Sequence, residues 1–393
     1  MGNWRATLAR IYELEAGPAR LASMEGYRGL AILLVFFVHF DSIFQDYLDP
    51  DSTARRWLGI LGGVGNVGVD LFFVASGYLI YGAVIRKPVK YGSFMRRRFE
   101  RIYPTFAAVF ALYLVLSLAF PAKSKIPTGL GPGVAFVVEN FLLLPGMLDI
   151  TAMITPAWSL SYEFFYYLTI PLLVAALALR RWSANGRIGF FLALAAGYFA
   201  FCFAVDPWRD RLAMFIAGIL LYETMTATEI PRKLTKGMEW AALAFFALSF
   251  VGIALLYERH TSLAFLPGYE RVSGTYRVVL MFVSFYLFAL FCFAFDGVTN
   301  RIFCFTPMRW LGNISYSYYL IHGLTLLALG EVCHRLVRPS GHSPWLVAAF
   351  GLLGFAATVA TSTALFLLVE KPYSLAPKAR PAAKPAEPAR GTA

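Results

Sequence analysis

The chain has 393 residues, of which 59% are hydrophobic and only 15% are charged, and its formal net charge is +12. Soluble domains carry about 25% charged residues, so this composition excludes an ordinary soluble enzyme, and it also excludes intrinsic disorder, collagen and coiled coils. The long unbroken apolar blocks exclude a β-barrel, in which apolar and polar residues alternate. The predicted fold class is therefore all-α, a polytopic membrane helical bundle.

About ten transmembrane helices are predicted, since a helix needs about 20 residues to cross the hydrocarbon core. In chain order the predicted spans are 28–46, 67–86, 102–120, 156–179, 187–205, 208–223, 238–257, 275–295, 312–337 and 344–369. The shorter stretch 134–148 contains Glu139 and Pro145, and we expect it to form a re-entrant or interfacial helix. Residues 3–15 predict an amphipathic helix along the membrane surface.

The basic residues predict the orientation of the chain. Ten spans place both termini on one side, and a cytoplasmic N-terminus puts most of the 35 Lys and Arg residues in cytoplasmic segments. This bias accounts for the net charge without a nucleic-acid partner. We expect a cytoplasmic segment at 1–27 with no cleaved signal, a membrane domain at 28–372, and a disordered cytoplasmic tail at 373–393.

Arg28 and His39 are the first charged or titratable pair at membrane depth, where such groups are costly and therefore functional candidates. They are eleven residues apart, so they share one helix face and lie about 16.5 Å apart along the axis. A histidine at this depth can act as a general base near neutral pH. Its spacing fits equally well a histidine that is bonded to a backbone carbonyl in a helix contact.

Asp70 and the pair Arg98 and Arg101 follow in the chain. Asp70 lies among small residues that let helices approach closely, so it is either a site residue or one satisfied acid in a packing helix. Arg98 and Arg101 are three residues apart and can face one anion, and guanidinium groups suit phosphates. A topology signal or an anchor for lipid headgroups is the alternative for this basic run.

Two further polar segments begin predicted spans. The first carries Trp158, Ser161 and Glu163. The carboxylate of Glu163 orients a histidine, receives a proton, or pairs with an arginine as a structural contact. The second places Tyr318 and His322 four residues apart, so they either line a polar cavity or make a hydrogen-bonded helix contact. The five histidines share no ligand spacing, and no metal site is expected.

Together these segments resemble the membrane acyltransferase 3 family, which comprises bacterial integral-membrane O-acyltransferases of cell-surface sugars. The resemblance runs in order from about Met24 to Tyr373. It rests on Arg28-x10-His39, GVDLFFVASGYLI, Arg98-x-x-Arg101, WSLSYE at 158–163, ISYSYYLIH at 314–322 and EKPYS at 370–374. The family commonly has WSLSVEEQFY, whereas Phe164 and Phe165 stand here in place of the second Glu and the Gln, which removes a second carboxylate.

The resemblance implies transfer of an acyl group, expected to be acetyl, from cytoplasmic acyl-CoA to a sugar hydroxyl of a cell-surface or exported glycan. It implies a bacterial inner-membrane protein in contact with lipid, with no bound cofactor. The arginines would hold the CoA phosphates and Arg28 would contact a phosphate or line the CoA channel. His39 would be the general base or would itself carry the acyl group, and Glu163 would orient the imidazole. We expect the remaining candidates at the substrate surface, namely Asp70, Trp158, Ser161, Tyr318 and His322.

A transporter or flippase is the alternative class. Ten spans, buried charges and a re-entrant segment suit a transporter as well as an enzyme. Inverted repeats are common in transporters, and the sequence shows none. Consumption of acyl-CoA by the purified protein would separate the two classes.

Overall fold

A computed structural model of the chain describes residues 4–14, 21–205, 207–263, 269–339, 341 and 343–375. These residues form helices and connecting turns, and they contain no strand, which confirms the all-α fold class. The helices are α1 Trp4–Tyr12, α2 Ala22–Phe44, α3 Thr53–Gly65, α4 Gly68–Ile85, α5 Tyr91–Ala119, α6 Leu130–Phe141, α7 Trp158–Ala176, α8 Ala184–Ala204, α9 Ala213–Ala227, α10 Lys236–Leu263, α11 Tyr269–Ala294, α12 Val298–Phe303, α13 Thr306–Asn313, α14 Ser315–Leu336, α15 Pro344–Leu365 and a π-helical segment Phe366–Ser374.

Eight helical stretches in the described part of the chain are long and apolar enough to cross a membrane. They are 22–47, 53–85, 91–119, 155–176, 184–204, 236–256, 272–294 and 344–374. The two remaining predicted spans are helices of another kind. The span predicted at 208–223 corresponds to α9, which has 15 residues and extends to Ala227. The span predicted at 312–337 contains α14, which has 22 residues but a more polar composition.

The structure differs from the sequence prediction in two connecting regions. Residues 53–65, predicted to connect the first two spans, form α3. It begins after Ser52, whose side chain accepts a hydrogen bond from the amide of Arg55. A Cβ at Gly65 would overlap with the carbonyl oxygen of Leu34, so this glycine permits the close contact of α3 with α2. In the stretch 134–148, predicted as one re-entrant or interfacial helix, the short helix α6 ends at Phe141, and the chain then turns through positive φ at Leu143 and Gly146.

The termini of the described chain pack onto the bundle. The predicted amphipathic helix is present as α1, and it is tied to the bundle through Tyr12, whose hydroxyl bonds the hydroxyl of Thr363 at 2.9 Å. Asn313 donates to the carbonyl of Tyr12 at 3.0 Å. Residues from 376 onward in the predicted tail lie outside the described residues.

Helix α9 lies at the centre of the bundle, and every residue from Ala213 to Thr224 is buried. It crosses α4 at Gly77 and Gly218, where a Cβ on either glycine would overlap with a backbone carbonyl of the opposite helix. Helix α4 also packs against α2 and α7, and α2 packs against α14. This contact of α2, α4, α5, α7 and α14 positions the candidate site.

Candidate functional site

A cavity of about 150 Å³ lies between α4, α5, α7 and α14, with one side chain contributed by α2. Four of the predicted site residues line it, namely Arg28, Arg98, Arg101 and Glu163. The rest of its wall is apolar, aromatic or hydroxyl-bearing: Phe72, Phe73, Ala75, Ser76, Leu79, Ile80, Ile102, Ser159, Leu160, Tyr167, Ser315, Tyr316 and Tyr319. Three arginines and one glutamate therefore line the same cavity.

Arg98 has no ion-pair partner among the described residues. Its guanidinium lies over the rings of Phe94 at 5.1 Å and Tyr167 at 5.3 Å, and its buried Nε atom has no hydrogen-bond partner there. Aromatic faces stabilise the cation without neutralising it. Arg98 is therefore a positive group with unused donors at the cavity wall.

Arg101 has a different environment, although it lies one helical turn away on the same face of α5. Its guanidinium donates to Glu370 Oε1 at 2.7 Å and lies 5.2 Å from the ring of Tyr316. The Glu370 carboxylate is fully buried, and its Oε2 atom accepts from the backbone amide of Ser317 at 3.0 Å and from its hydroxyl at 2.6 Å. Much of the charge of Arg101 is thus balanced within the protein.

Glu163 is held by two hydroxyl groups. Its Oε1 atom accepts from Ser76 at 2.8 Å and from Tyr167 at 2.6 Å. The same Tyr167 ring lies beneath Arg98, so this carboxylate belongs to the arginine-lined cavity. Within the described chain no hydrogen bond joins Glu163 to His39, and the role predicted for this glutamate, orienting the imidazole, has no contact to carry it.

The imidazole of His39 instead faces a second imidazole, that of His322 on α14. The ring centroids are 4.8 Å apart and the planes are 67° apart. His322 is fully buried, and its Nδ1 atom lies 2.8 Å from the carbonyl oxygen of Tyr318. The ring of Tyr319, which lines the cavity, lies 6.1 Å from that of His322 and connects the cavity to the two histidines.

The other predicted residues lie beside the cavity without lining it. Asp70 forms an ion pair with Arg211 at 3.6 Å, and the guanidinium of Arg211 lies 5.7 Å from the ring of Trp158. Tyr318 shares a hydrogen bond with Thr358 at 3.0 Å. The buried hydroxyl of Ser161 has no partner among the described residues.

Sequence analysis missed Arg211 and Glu370 as partners of the predicted residues. Glu370 lies 269 positions from Arg101, and only its place in the EKPYS segment marked it. Among the described residues, no group of three or more His, Cys, Asp or Glu side chains is arranged to hold a metal ion.

Residues 21–367 match the family model described as an acyltransferase domain. The chain is 35% identical over 176 residues to acyltransferase MdmB of Streptomyces mycarofaciens, an alignment that covers 42% of this chain and 44% of MdmB. It is 26% identical over 281 residues to the exopolysaccharide production protein ExoZ of Rhizobium meliloti, which covers 68% of this chain and 78% of ExoZ.

A third relative is the peptidoglycan O-acetyltransferase OatA of Listeria monocytogenes, which is 25% identical over 331 residues. That alignment covers 76% of this chain and 48% of OatA. This chain therefore spans less than half the length of MdmB and of OatA. No solved structure matches it.

Proposed function

We propose a function from the premise that this chain belongs to the family of acyltransferase domains over residues 21–367. The protein moves an acyl group from cytoplasmic acyl-CoA to a sugar hydroxyl of an exported or cell-surface glycan. Acetyl is the proposed group. The proposed location is the bacterial inner membrane, with both termini in the cytoplasm. The observation that carries the donor assignment is the cavity wall, where Arg98 offers an uncompensated positive charge.

The charges of the cavity favour an anionic donor. Arg28, Arg98 and Arg101 face it with Glu163 as the one acidic side chain in its wall. Ion pairs gain strength where water is scarce, and guanidinium groups bind phosphate oxygens in a bidentate manner. In this proposal Arg98 binds a phosphate of CoA directly, while Arg101 is held in place by Glu370 and adds positive potential.

The position of His39 supports a reaction deeper in the membrane. It lies about 16.5 Å from Arg28 along α2 at the usual helical rise, so phosphates near Arg28 and a thioester near His39 place an extended donor along this helix. The names of ExoZ and OatA, which refer to exopolysaccharide and peptidoglycan, support a carbohydrate as the acceptor.

The proposed reaction is direct acyl transfer with His39 as the general base. The imidazole takes the proton of the sugar hydroxyl while the sugar oxygen attacks the thioester carbonyl. The tetrahedral intermediate collapses, the C–S bond breaks, and the departing CoA thiolate receives the proton. A positioned general base contributes about 10²–10⁴-fold to the rate. Trapping of labelled acyl on His39 would instead assign it as an acyl carrier.

Label transfer in liposomes tests this function. Purified protein is supplied with radiolabelled acetyl-CoA and a crude cell-envelope glycan extract, and labelled glycan is measured. We expect labelling by the wild type and none by His39→Ala. Arg98→Gln should label only at raised donor concentration. Arg96→Gln is the matched control, because Arg96 lies on the same helix with a side chain that is 75% exposed and paired with Glu100.

Two results would overturn the proposal. Labelling by His39→Ala at the wild-type rate would remove the assigned base. A folded wild type that consumes neither acetyl-CoA nor succinyl-CoA would favour the transporter class, with Arg28 and His39 then assigned to a substrate pathway.

A further inference from the structure

The tautomer of His322 follows from its backbone contact. The Nδ1 atom lies 2.8 Å from the carbonyl oxygen of Tyr318. A carbonyl oxygen only accepts hydrogen bonds, so Nδ1 carries the proton and donates. In the neutral imidazole the other nitrogen, Nε2, then holds a lone pair.

This lone pair has no partner among the described residues. His322 has no exposed surface, and its Nε2 atom is buried without a hydrogen bond. A buried polar atom without a partner is costly, and such exceptions call for an explanation. The bond to Tyr318 satisfies only the Nδ1 atom. A purely structural helix contact therefore explains the position of Nδ1 but leaves the buried Nε2 atom unexplained.

The surrounding groups leave His39 as the protein donor for this atom. The hydroxyl of Tyr318 is bonded to Thr358 at 3.0 Å, and the hydroxyl of Tyr319 is bonded to Ser159 at 2.7 Å. The imidazole of His39 lies 4.8 Å away between ring centroids, is half-buried, and has no hydrogen bond of its own among the described residues. A small rotation of this ring would direct one of its nitrogens at Nε2.

We propose that His322 is the positioning partner of His39. In the reacting complex, the Nε2 atom of His322 accepts a hydrogen bond from the His39 imidazole. This inference rests on the proposed function. The bond fixes the proton of His39 on the nitrogen that faces His322, and the lone pair of His39 then faces the acceptor hydroxyl. When that lone pair takes the sugar proton, the resulting imidazolium keeps its N–H directed at a neutral acceptor. No other proton moves at this step.

Two substitutions separate the two nitrogens of His322. Asparagine places an amide N–H near the position of Nδ1 and retains the bond to the Tyr318 carbonyl, but it leaves nothing at Nε2. Glutamine reaches the position of Nε2 with an oxygen that can accept from His39. Under the proposal, His322→Asn lowers kcat about tenfold or more with an unchanged KM for acetyl-CoA. His322→Gln retains most of kcat.

The matched control is His334→Asn. His334 lies on the same helix and makes the same backbone bond, from Nδ1 to the carbonyl oxygen of Gly330 at 2.6 Å, but its ring faces Tyr47. We expect its kcat to equal that of the wild type. Equal loss of kcat in both His322 variants, or a loss expressed only in KM or thermal stability, would overturn the positioning role.

A readout that needs no activity distinguishes failure of this inference from failure of the proposed function. Ring ¹⁵N shifts in histidine-labelled protein, with CoA added as an unreactive stand-in for the donor, report the tautomers. We expect His39 to be a single tautomer in the wild type and a mixture in His322→Asn. If this result is found in a protein without transferase activity, it supports the pairing of His39 with His322 and refutes the proposed function. A mixture of His39 tautomers in the wild type would refute the pairing, and this outcome requires no folded His322 variant.

Discussion

The ion pair between Glu370 and Arg101 makes a prediction whose size follows from its burial. The Glu370 side chain has no exposed surface, whereas that of Arg101 is 27% exposed. Removing one partner of a buried pair costs about 3–5 kcal/mol because the other charge is left without compensation. The partial exposure of Arg101 places Glu370→Gln near the lower end, at about 3 kcal/mol of lost stability, since the glutamine oxygen still accepts from Ser317.

The opposite single variant should be at least as harmful. In Arg101→Met the fully buried carboxylate loses its cation and keeps only the two bonds from Ser317. We expect the double variant, which contains neither charge, to be more stable than either single variant. A coupling free energy of about 2–3 kcal/mol is within the range for contacting residues.

Equilibrium unfolding in mixed detergent micelles, followed by tryptophan fluorescence, measures these differences. Glu331→Gln provides the control, because that carboxylate is 53% exposed and pairs with Lys123 at the surface. Such exposed pairs contribute little to stability because solvent screens them. The reasoning is refuted if Glu370→Gln costs no more than Glu331→Gln, or if the losses of the two single variants simply add in the double variant.

Four further variants test the cavity and the bundle. Arg98→Gln should raise the KM for acyl-CoA about tenfold or more, since a charge-assisted bond contributes about 1.5–3 kcal/mol; an unchanged KM would place the phosphates elsewhere. Gly218→Ala should abolish folded protein, because the new Cβ would overlap with the backbone of α4. Gly197→Ala is its control: the new Cβ would have no atom within 4 Å, so this variant should be neutral or stabilising in melting experiments. Tyr167→Phe removes one of two hydroxyls from Glu163 and should lower thermal stability by about 1 kcal/mol, which equal melting curves would contradict.

The sequence predicted most helices because long apolar blocks have few alternatives in a membrane. The sequence was least informative about α9 and α3, for different reasons. Helix α9 is apolar because protein surrounds it on every side, so its 15 residues need not match the thickness of the bilayer. Helix α3 was missed because its first turn is polar and two of its three buried positions, beside Leu58, are Gly62 and Gly65.

The site could be predicted from the sequence only as far as spacing within one helix reaches. Spacing predicted that Arg98 and Arg101 can face one anion, and both side chains line the cavity. It could not show that Glu370 balances only one of them, because that contact joins segments 269 positions apart. The same limit applies to His39, whose ring partner His322 comes from the far end of the chain.

Helix α14 explains why the cavity and the histidine pair form one unit. Ser317 holds Glu370 and so the position of Arg101, Tyr319 lines the cavity, and His322 faces His39. These polar groups share the first two turns of the helix, so one rigid element sets the distances between them. They also make α14 more polar than the eight apolar stretches. A helix that carries its polar groups toward other helices keeps them out of lipid, where each would be costly. The polarity that weakens α14 as a predicted span is therefore the property that positions the site.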